Sequence, residues 1–444
     1  MTRRAGVLLP VFALWGARDG PAAAARAFVD WLVEARFSVW QVLPIGPTGA
    51  DGSPYWLRSD HATHAALADG CELAPGELAA WCEREGEWAH DYALAGALTA
   101  EHGGRPWQAW PAPLRDREPA ALAAARARHA GAIARVLAEQ CLAARGWSEL
   151  RAYANARGVA LFGDLPIYLA PDSVETWVHR REFQLGDDGR PLALAGVPPD
   201  YFATDGQLWG NPLYDWEAMA QNDYRFWRAR VRRALARFDL LRLDHFRGLV
   251  GYWRVPAGAA TAREGEWRPA GGRALLRALT GDDGAPVLVA EDLGIITPDV
   301  EALRLEFRLP GMKVLQFAFD GSPDNPYLPH RHTRDCVVYT GTHDNDTTLG
   351  WYRSLDAATR ERVAYQLHAQ DMPDALIHAA LASVADLAVI PVADLLALDS
   401  AARINLPGTT AGNWQWRLPD GALTDGLARQ YARANRAFGR ALLG

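Results

Sequence analysis

Eight short apolar runs of β-forming residues, separated by stretches with helical spacing, constrain this 444-residue chain more than any other feature. They are 6–11 "GVLLPV", 37–43 "FSVWQVL", 158–164 "GVALFGD", 238–244 "FDLLRLD", 286–291 "PVLVAE", 312–319 "MKVLQFAF", 335–341 "DCVVYTG" and 386–391 "DLAVIP". Runs that are apolar on both faces suit a parallel sheet buried under helices, and eight in this alternation predict a closed α/β fold, the (β/α)8 TIM barrel. The length accommodates one such barrel with insertions, so 1–444 reads as a single barrel domain.

The uneven spacing of the runs locates the insertions. Residues 44–157 carry helical runs such as "EPAALAAARARHAGAIARVLAEQCLAARGW" and predict a largely helical insertion subdomain. Residues 165–230 contain "AGVPPDYFATDGQLWGNPLYDW", too rich in Pro, Gly and Asp for a regular helix. A long irregular segment inside a compact domain is usually functional, so this insertion is expected to place a loop over the C-terminal mouth of the barrel.

Composition removes several classes of function. A net charge of −7, from 46 basic and 53 acidic residues without a basic cluster, leaves no footprint for nucleic acid. Cys71, Cys82, Cys141 and Cys336 are too scattered for CxxC metal or redox motifs and fit reduced thiols. The start, "MTRRAGVLLPVFALWGA", imitates a secretory signal, but its apolar run also reads as the first strand. No segment reaches the ~18 apolar residues that span a bilayer, so a cytoplasmic protein without a membrane partner is expected. The 18 tryptophans suggest sugar binding, since flat amphipathic rings match the C–H faces of pyranoses, although core packing accounts for many of them.

Asp164, Asp244, Glu291 and Asp344 each fall at or just past the C-terminal end of a predicted strand. In a closed parallel barrel those ends form one mouth, so four acids distant in sequence meet there. In "LLRLDHF" the strand period of two puts Arg242 and Asp244 on the inward face, with Leu241 and Leu243 outward. An arginine beside an aspartate supplies charge and hydrogen bonds to the carboxylate, which suits a nucleophile better than an acid; the pair alone also fits a structural ion pair. Glu291, ending the apolar "VLVAE", is placed for desolvation to keep it partly protonated, as a proton donor requires. "TGTHDNDTT" offers His343 and Asp344 to vicinal hydroxyls, or else a helix-capping turn. A metal site is the minor reading: no HxH or HxD pair stands at a strand end, and the "HRH" of His330 and His332 lies in a Pro-rich loop expected to be exposed.

The blocks "GDLPIY", "AGVPPDYFATDGQLWGNPLYDW", "LLRLDHFRG", "VLVAEDLG", "PGMKVLQFAFD", "YTGTHDNDTTLGWY" and "NWQWRL" resemble, in order and spacing, those of the 4-α-glucanotransferase (amylomaltase, or disproportionating enzyme) family, over about residues 37 to 418. The resemblance implies Asp244 as nucleophile, Glu291 as general acid/base and Asp344 as the carboxylate that stabilises the transition state through sugar hydroxyls. It also implies substrate contacts from Tyr55, Asp164, Arg242, His245 and His343, from Gln207, Trp209 and Asn211 in the loop over the cleft, and from Lys313 in the sixth-strand block. The expected partners are a 1,4-α-glucan donor and a sugar acceptor, with no cofactor and no metal; the oligomeric state is left open. Retaining transfer needs an ionised and a protonated carboxyl about 5–5.5 Å apart, roles that Asp244 and Glu291 can take. The alternative is a relative with an altered acceptor or mainly hydrolytic activity; a non-catalytic glycan-binding protein would not need the three carboxyls together.

Two segments depart from the family pattern. Residues 12–27 run almost directly into a helix, and 56–66, "WLRSDHATHAA", replace the usual sequence after "SPY". The second is expected to overhang the mouth, where Trp56, Arg58, Asp60, His61 and His64 are candidates for sugar contact, unless it packs against the helical insertion.

Overall fold

The computed structural model describes residues 3–68, 70, 72–199, 204–280, 287–409 and 411–442. Cys71, residues 200–203 of the Pro- and Gly-rich block, and Pro286, with which the fifth predicted strand begins, lie outside the described residues.

All eight apolar runs overlap strands: β1 Arg4–Leu8, β2 Val39–Gln41, β3 Ala160–Leu165, β4 Leu240–Leu243, β5 Leu288–Ala290, β6 Gly311–Val314, β7 Cys336–Tyr339 and β8 Leu387–Pro391. They form one parallel sheet in the order β6-β7-β8-β1-β2-β3-β4-β5. The ends of the sheet meet at β5 and β6, where the N–H of Ala290 donates to the carbonyl of Pro310 at 2.8 Å. Two residues further on, the Asp292 carboxylate accepts the Met312 N–H at 2.6 Å, a side chain doing what a strand carbonyl does elsewhere in the ladder. The sheet is thus a (β/α)8 barrel.

Strand alternation sorts the side chains. Val39, Phe162, Leu240, Val289, Met312 and Val337 fill the interior, while Leu161, Leu241, Leu243, Leu288, Val338 and Ile390, of opposite parity, pack outward in the core beneath the helices. Gly163 is required for close approach: a Cβ there would stand 2.3 Å from the Phe238 ring. The first strand ends earlier than predicted, because Pro10 ends the ladder and Val11–Leu14 turn into a 3-10 helix. The apolar stretch resembling a signal is therefore barrel strand and turn.

Between β2 and β3, helices Glu77–Glu85, Glu87–Glu101 and Pro119–Arg128 precede the long helix Ala130–Asn155. The far end of that helix buries Trp147, Leu150 and Ala154 in the main core, so one helix serves both the insertion and the barrel wall. The segment after β3 is more regular than the sequence indicates. Ala193–Val197 and Gln207–Pro212 pair antiparallel, and Gly251–Pro256 and Glu266–Pro269, from beyond β4, complete a four-stranded sheet. Half of this sheet comes from the next loop, so its pairing could not be read from 165–230 alone. Among the described residues no helix is long and apolar enough to cross a membrane.

Candidate active site

Strand β4 turns Leu240 into the barrel and Leu241 and Leu243 outward, so Arg242 must project inward. Its Nη1 donates to both carboxylate oxygens of Asp164, at 2.8 and 2.7 Å, and its Nη2 lies 2.7 Å from Asp244 Oδ1. Asp164, the same parity as Phe162 on β3, is fully buried. Burial works against the guanidinium charge, but Asp164 and Asp244 outweigh it and hold Arg242 well above the ordinary arginine value.

Directly after Asp244 the chain makes a left-handed turn at His245, φ 46° and ψ 53°. This turn aims the His245 N–H at Glu291 Oε2, 2.7 Å away, while the Leu293 N–H donates to Oε1 at 2.9 Å. A non-glycine residue in this conformation costs on the order of 1 kcal/mol, strain that the two strand ends must hold in place. Burial pushes the Glu291 carboxyl up to about 7; the charge of Asp244 adds to this, and Arg242 and the two backbone donors oppose it. Burial also lowers His245 to about 4, so its imidazole is neutral at pH 7 and meets the edge of Trp209 at 4.8 Å between ring centroids.

The turn after β7 is both things its sequence allowed. Thr347 caps helix Thr348–Ser354 by accepting the Gly350 N–H, and Asn345 Oδ1 accepts the Thr342 N–H. The same turn sets His343 Nε2 2.9 Å from the Tyr55 hydroxyl and 3.4 Å from Asp344 Oδ1. The Tyr55 hydroxyl in turn donates to Asp164 Oδ2 at 2.7 Å, and its ring stacks on His343 with centroids 5.3 Å apart. Burial, then the neighbouring Asp164, hold the Tyr55 phenol well above its ordinary pKa. Asp344, His343, Tyr55, Asp164, Arg242 and Asp244 thus form one continuous polar chain across the mouth, and Glu291 joins it through the His245 turn.

The remaining predicted residues divide. Trp209 and Gln207 lie on the sheet over the cleft, where the indole N–H donates to Gln207 Oε1 at 3.2 Å. Asn211 is buried, and its amide donates to the Leu169 carbonyl at 2.9 Å, so it fastens this strand to the loop after β3. Lys313 is not brought into the cluster: Met312 and Val314 face the barrel interior, so Lys313 takes the opposite parity, 5.4 Å from the centre of the Tyr327 ring.

Two expectations need correction. Of the segment 56–66, Asp60 pairs with buried Arg230 at 2.7 Å, and His61 is buried against Trp88 with its carbonyl accepting from Arg237. Both side chains are occupied in packing and are not available to sugar; Trp56 lies against Gly49 and Gly210, and His64 stacks on Trp15, so the two divergent segments contact each other. His332 is buried, not exposed, between Ser383 Oγ at 2.8 Å and the Tyr327 carbonyl at 2.9 Å. Among the described residues no group of three or more His, Cys, Asp or Glu side chains is arranged to hold a metal ion.

Sequence reasoning missed the segment after β8. Arg403 Nη2 donates to the Asp344 carbonyl at 2.8 Å, Asn405 Nδ2 to Asp344 Oδ1 at 2.6 Å, and Trp414 sets its ring 6.0 Å from Tyr55 and 6.1 Å from His343. "NWQWRL" marked the place of Trp414, but nothing local marks "RIN" at 403–405.

The family model described as 4-alpha-glucanotransferase matches residues 9–74 and 70–424, nearly the whole chain. The chain belongs to the 4-α-glucanotransferase family. The 4-α-glucanotransferase of Thermus thermophilus is 44% identical over 90% of this chain and 91% of its own, and that of Synechocystis 41% identical over 93% of each. Among solved structures, an amylomaltase from Streptococcus agalactiae in complex with acarbose superimposes with a TM-score of 0.93 at 30% identity, covering 99% of this chain and 100% of its own. An amylomaltase from Corynebacterium glutamicum, 15% identical with a TM-score of 0.78 over 97% of this chain and 75% of its own, shares the fold. The transferase activity of the family therefore belongs to a barrel whose mouth carries the polar chain described above.

Proposed function

We propose that this 4-α-glucanotransferase moves 1,4-α-glucan segments between maltooligosaccharides by a retaining double displacement through a glycosyl-aspartate. Asp244 attacks C1 of the donor sugar at the point of cleavage, while Glu291 gives its proton to the departing 4-oxygen. The C1–Oδ bond forms as the C1–O4 bond breaks. In the second half, the now ionised Glu291 takes the proton of an incoming 4-hydroxyl, and that oxygen displaces Asp244. Asp344 accepts hydrogen bonds from the hydroxyls of the reacting sugar, bonds that strengthen as charge develops on the ring. No other group is needed for either half-reaction.

The observation that carries this reading is the opposite treatment of two carboxyls in one mouth: Asp244 is ion-paired to Arg242 at 2.7 Å, and Glu291 is desolvated and raised to about 7. A group near that value can serve as acid and base in turn at neutral pH. The bound sugars of the Streptococcus agalactiae relative, acarbose in its structure, support a glucan in the corresponding cleft here. Incubation with maltotriose tests the proposal. Transfer yields a ladder of longer and shorter oligomers plus glucose, whereas new reducing ends without longer products indicate hydrolysis. Asp244→Asn and Glu291→Gln are expected to remain folded and lose turnover, and wild-type kcat/KM should fall as pH rises through about 7, as Glu291 loses its proton. Wild-type-like turnover by either variant refutes the assigned roles.

A further inference from the structure

We infer that Asn405 is a positioning residue that fixes the orientation of the Asp344 carboxylate, an inference that rests on the role proposed for Asp344. The carboxylate hangs from the turn after β7, with its side chain 43% exposed. Its Oδ1 accepts from Asn405 Nδ2 at 2.6 Å, with His343 Nε2 farther away at 3.4 Å. Among the described residues, Oδ2 has no protein hydrogen bond and stays free for a sugar hydroxyl. One oxygen fixed and one free is what a group must offer if its contacts are to be set before substrate arrives.

Backbone bonds bring Asn405 to this place. Its own N–H donates to the His343 carbonyl at 3.1 Å, and Arg403 bridges the two segments, donating from Nη2 to the Asp344 carbonyl and from Nε to the Asn405 carbonyl, each at 2.8 Å. Residues 343–344 and 403–405 are clamped before the Asn405 side-chain bond is counted. The segment then leaves and returns at one point. The Trp414 N–H donates to the Ile404 carbonyl at 2.8 Å, the Leu406 N–H to Asn413 Oδ1 at 2.9 Å, and Ile404 is buried in the barrel interior. Asn405 thus stands at the base of a closed loop whose returning end, Trp414, touches Tyr55 and His343. An amide suits the position because it donates to a carboxylate without neutralising it, whereas a second acid there must keep a proton to do the same.

The test is maltotriose transfer by Asn405→Ala, Asn405→Asp, Asp344→Asn and the Asp344→Asn/Asn405→Ala double variant, with thermal melting of each to verify folding. Asn405→Ala is expected to lose about 10–100-fold in kcat with little change in KM, the usual loss for one hydrogen bond to a charged group in a transition state. The double variant should be no slower than Asp344→Asn alone, since Asn405 acts through that carboxylate. Asn405→Asp, of the same shape, should be most active in acid, where its carboxyl can still donate, and lose activity as pH rises at values where the wild type is unaffected. Additive losses in the double variant, an Asn405→Ala kcat within twofold of wild type, or an Asn405→Asp profile parallel to wild type would overturn the inference while Asp344→Asn remains inactive. An active Asp344→Asn variant overturns both the inference and the proposed role of Asp344.

Discussion

Replacing Arg242 with Met separates the structural from the chemical contribution of the polar chain. Arg242 makes two bonds to Asp164 and one to Asp244, all at 2.7–2.8 Å, with side-chain exposures of 6% for the arginine, 0% for Asp164 and 25% for Asp244. The variant leaves Asp164 a buried carboxylate with only the Tyr55 hydroxyl as donor, and breaking such a pair from one side costs about 3–5 kcal/mol. With an unfolding entropy of roughly 2 cal/mol/K per residue, that corresponds to about 3–5 °C in Tm for a chain of this length. Asp244, being partly exposed, recovers solvation and adds little to this cost. The second variant, Asp164→Asn/Arg242→Met, removes the orphaned charge and should regain most of the lost stability. Activity should not follow: Asp244 loses its orienting partner in both variants, and maltotriose transfer should fall by at least about 100-fold in each. Melting curves at pH 7 together with initial rates make the comparison. A single variant that loses under 1 °C, or a double variant no more stable than the single, would refute the argument from buried charge.

Glu175 is buried, its Oε1 accepts from Ser59 Oγ at 2.5 Å, and burial raises it to about 7. A raised folded value means that the proton-linked stability is complete below the unfolded value of 4.5 and is lost as pH rises through about 7. The difference amounts to roughly 3 kcal/mol, so Glu175→Gln should flatten the fall in Tm between pH 5 and pH 8 by about 3 °C, and parallel curves for variant and wild type would count against it. His61→Ala, which empties a site against Trp88 while keeping the main-chain carbonyl that accepts from Arg237, should lower Tm by about 2 °C and leave the maltotriose product ladder unchanged. Trp414→Ala should alter the ladder with less effect on Tm, and a reversed pattern between the two would return His61 to the cleft.

How far the site could be read from sequence depends on the range over which each residue's position is decided. The eight strands, the inward parity of Arg242 and Asp244 and the place of Glu291 at a strand end were legible because side-chain alternation and apolar runs are local properties of the chain. Closure of the barrel then follows from strand number and the right-handed crossover, so acids at strand ends had to share one mouth. The outward parity of Lys313, between inward Met312 and Val314, was open to the same reasoning, and there the family resemblance pointed the other way. Contacts made by loops obey no such period. Asp60 and His61 look like cleft residues until helix Arg225–Arg237, some 170 positions further on, supplies Arg230 and Arg237 to hold them in the packing layer. The strands over the mouth pair with partners beyond β4, and Asn405 reaches Asp344 across 61 positions because Arg403 clamps two loops that only the closed barrel makes neighbours. Local periodicity could therefore specify which side chains enter the barrel, while the path of the loops, set by tertiary packing, decided which of the remaining polar groups they meet.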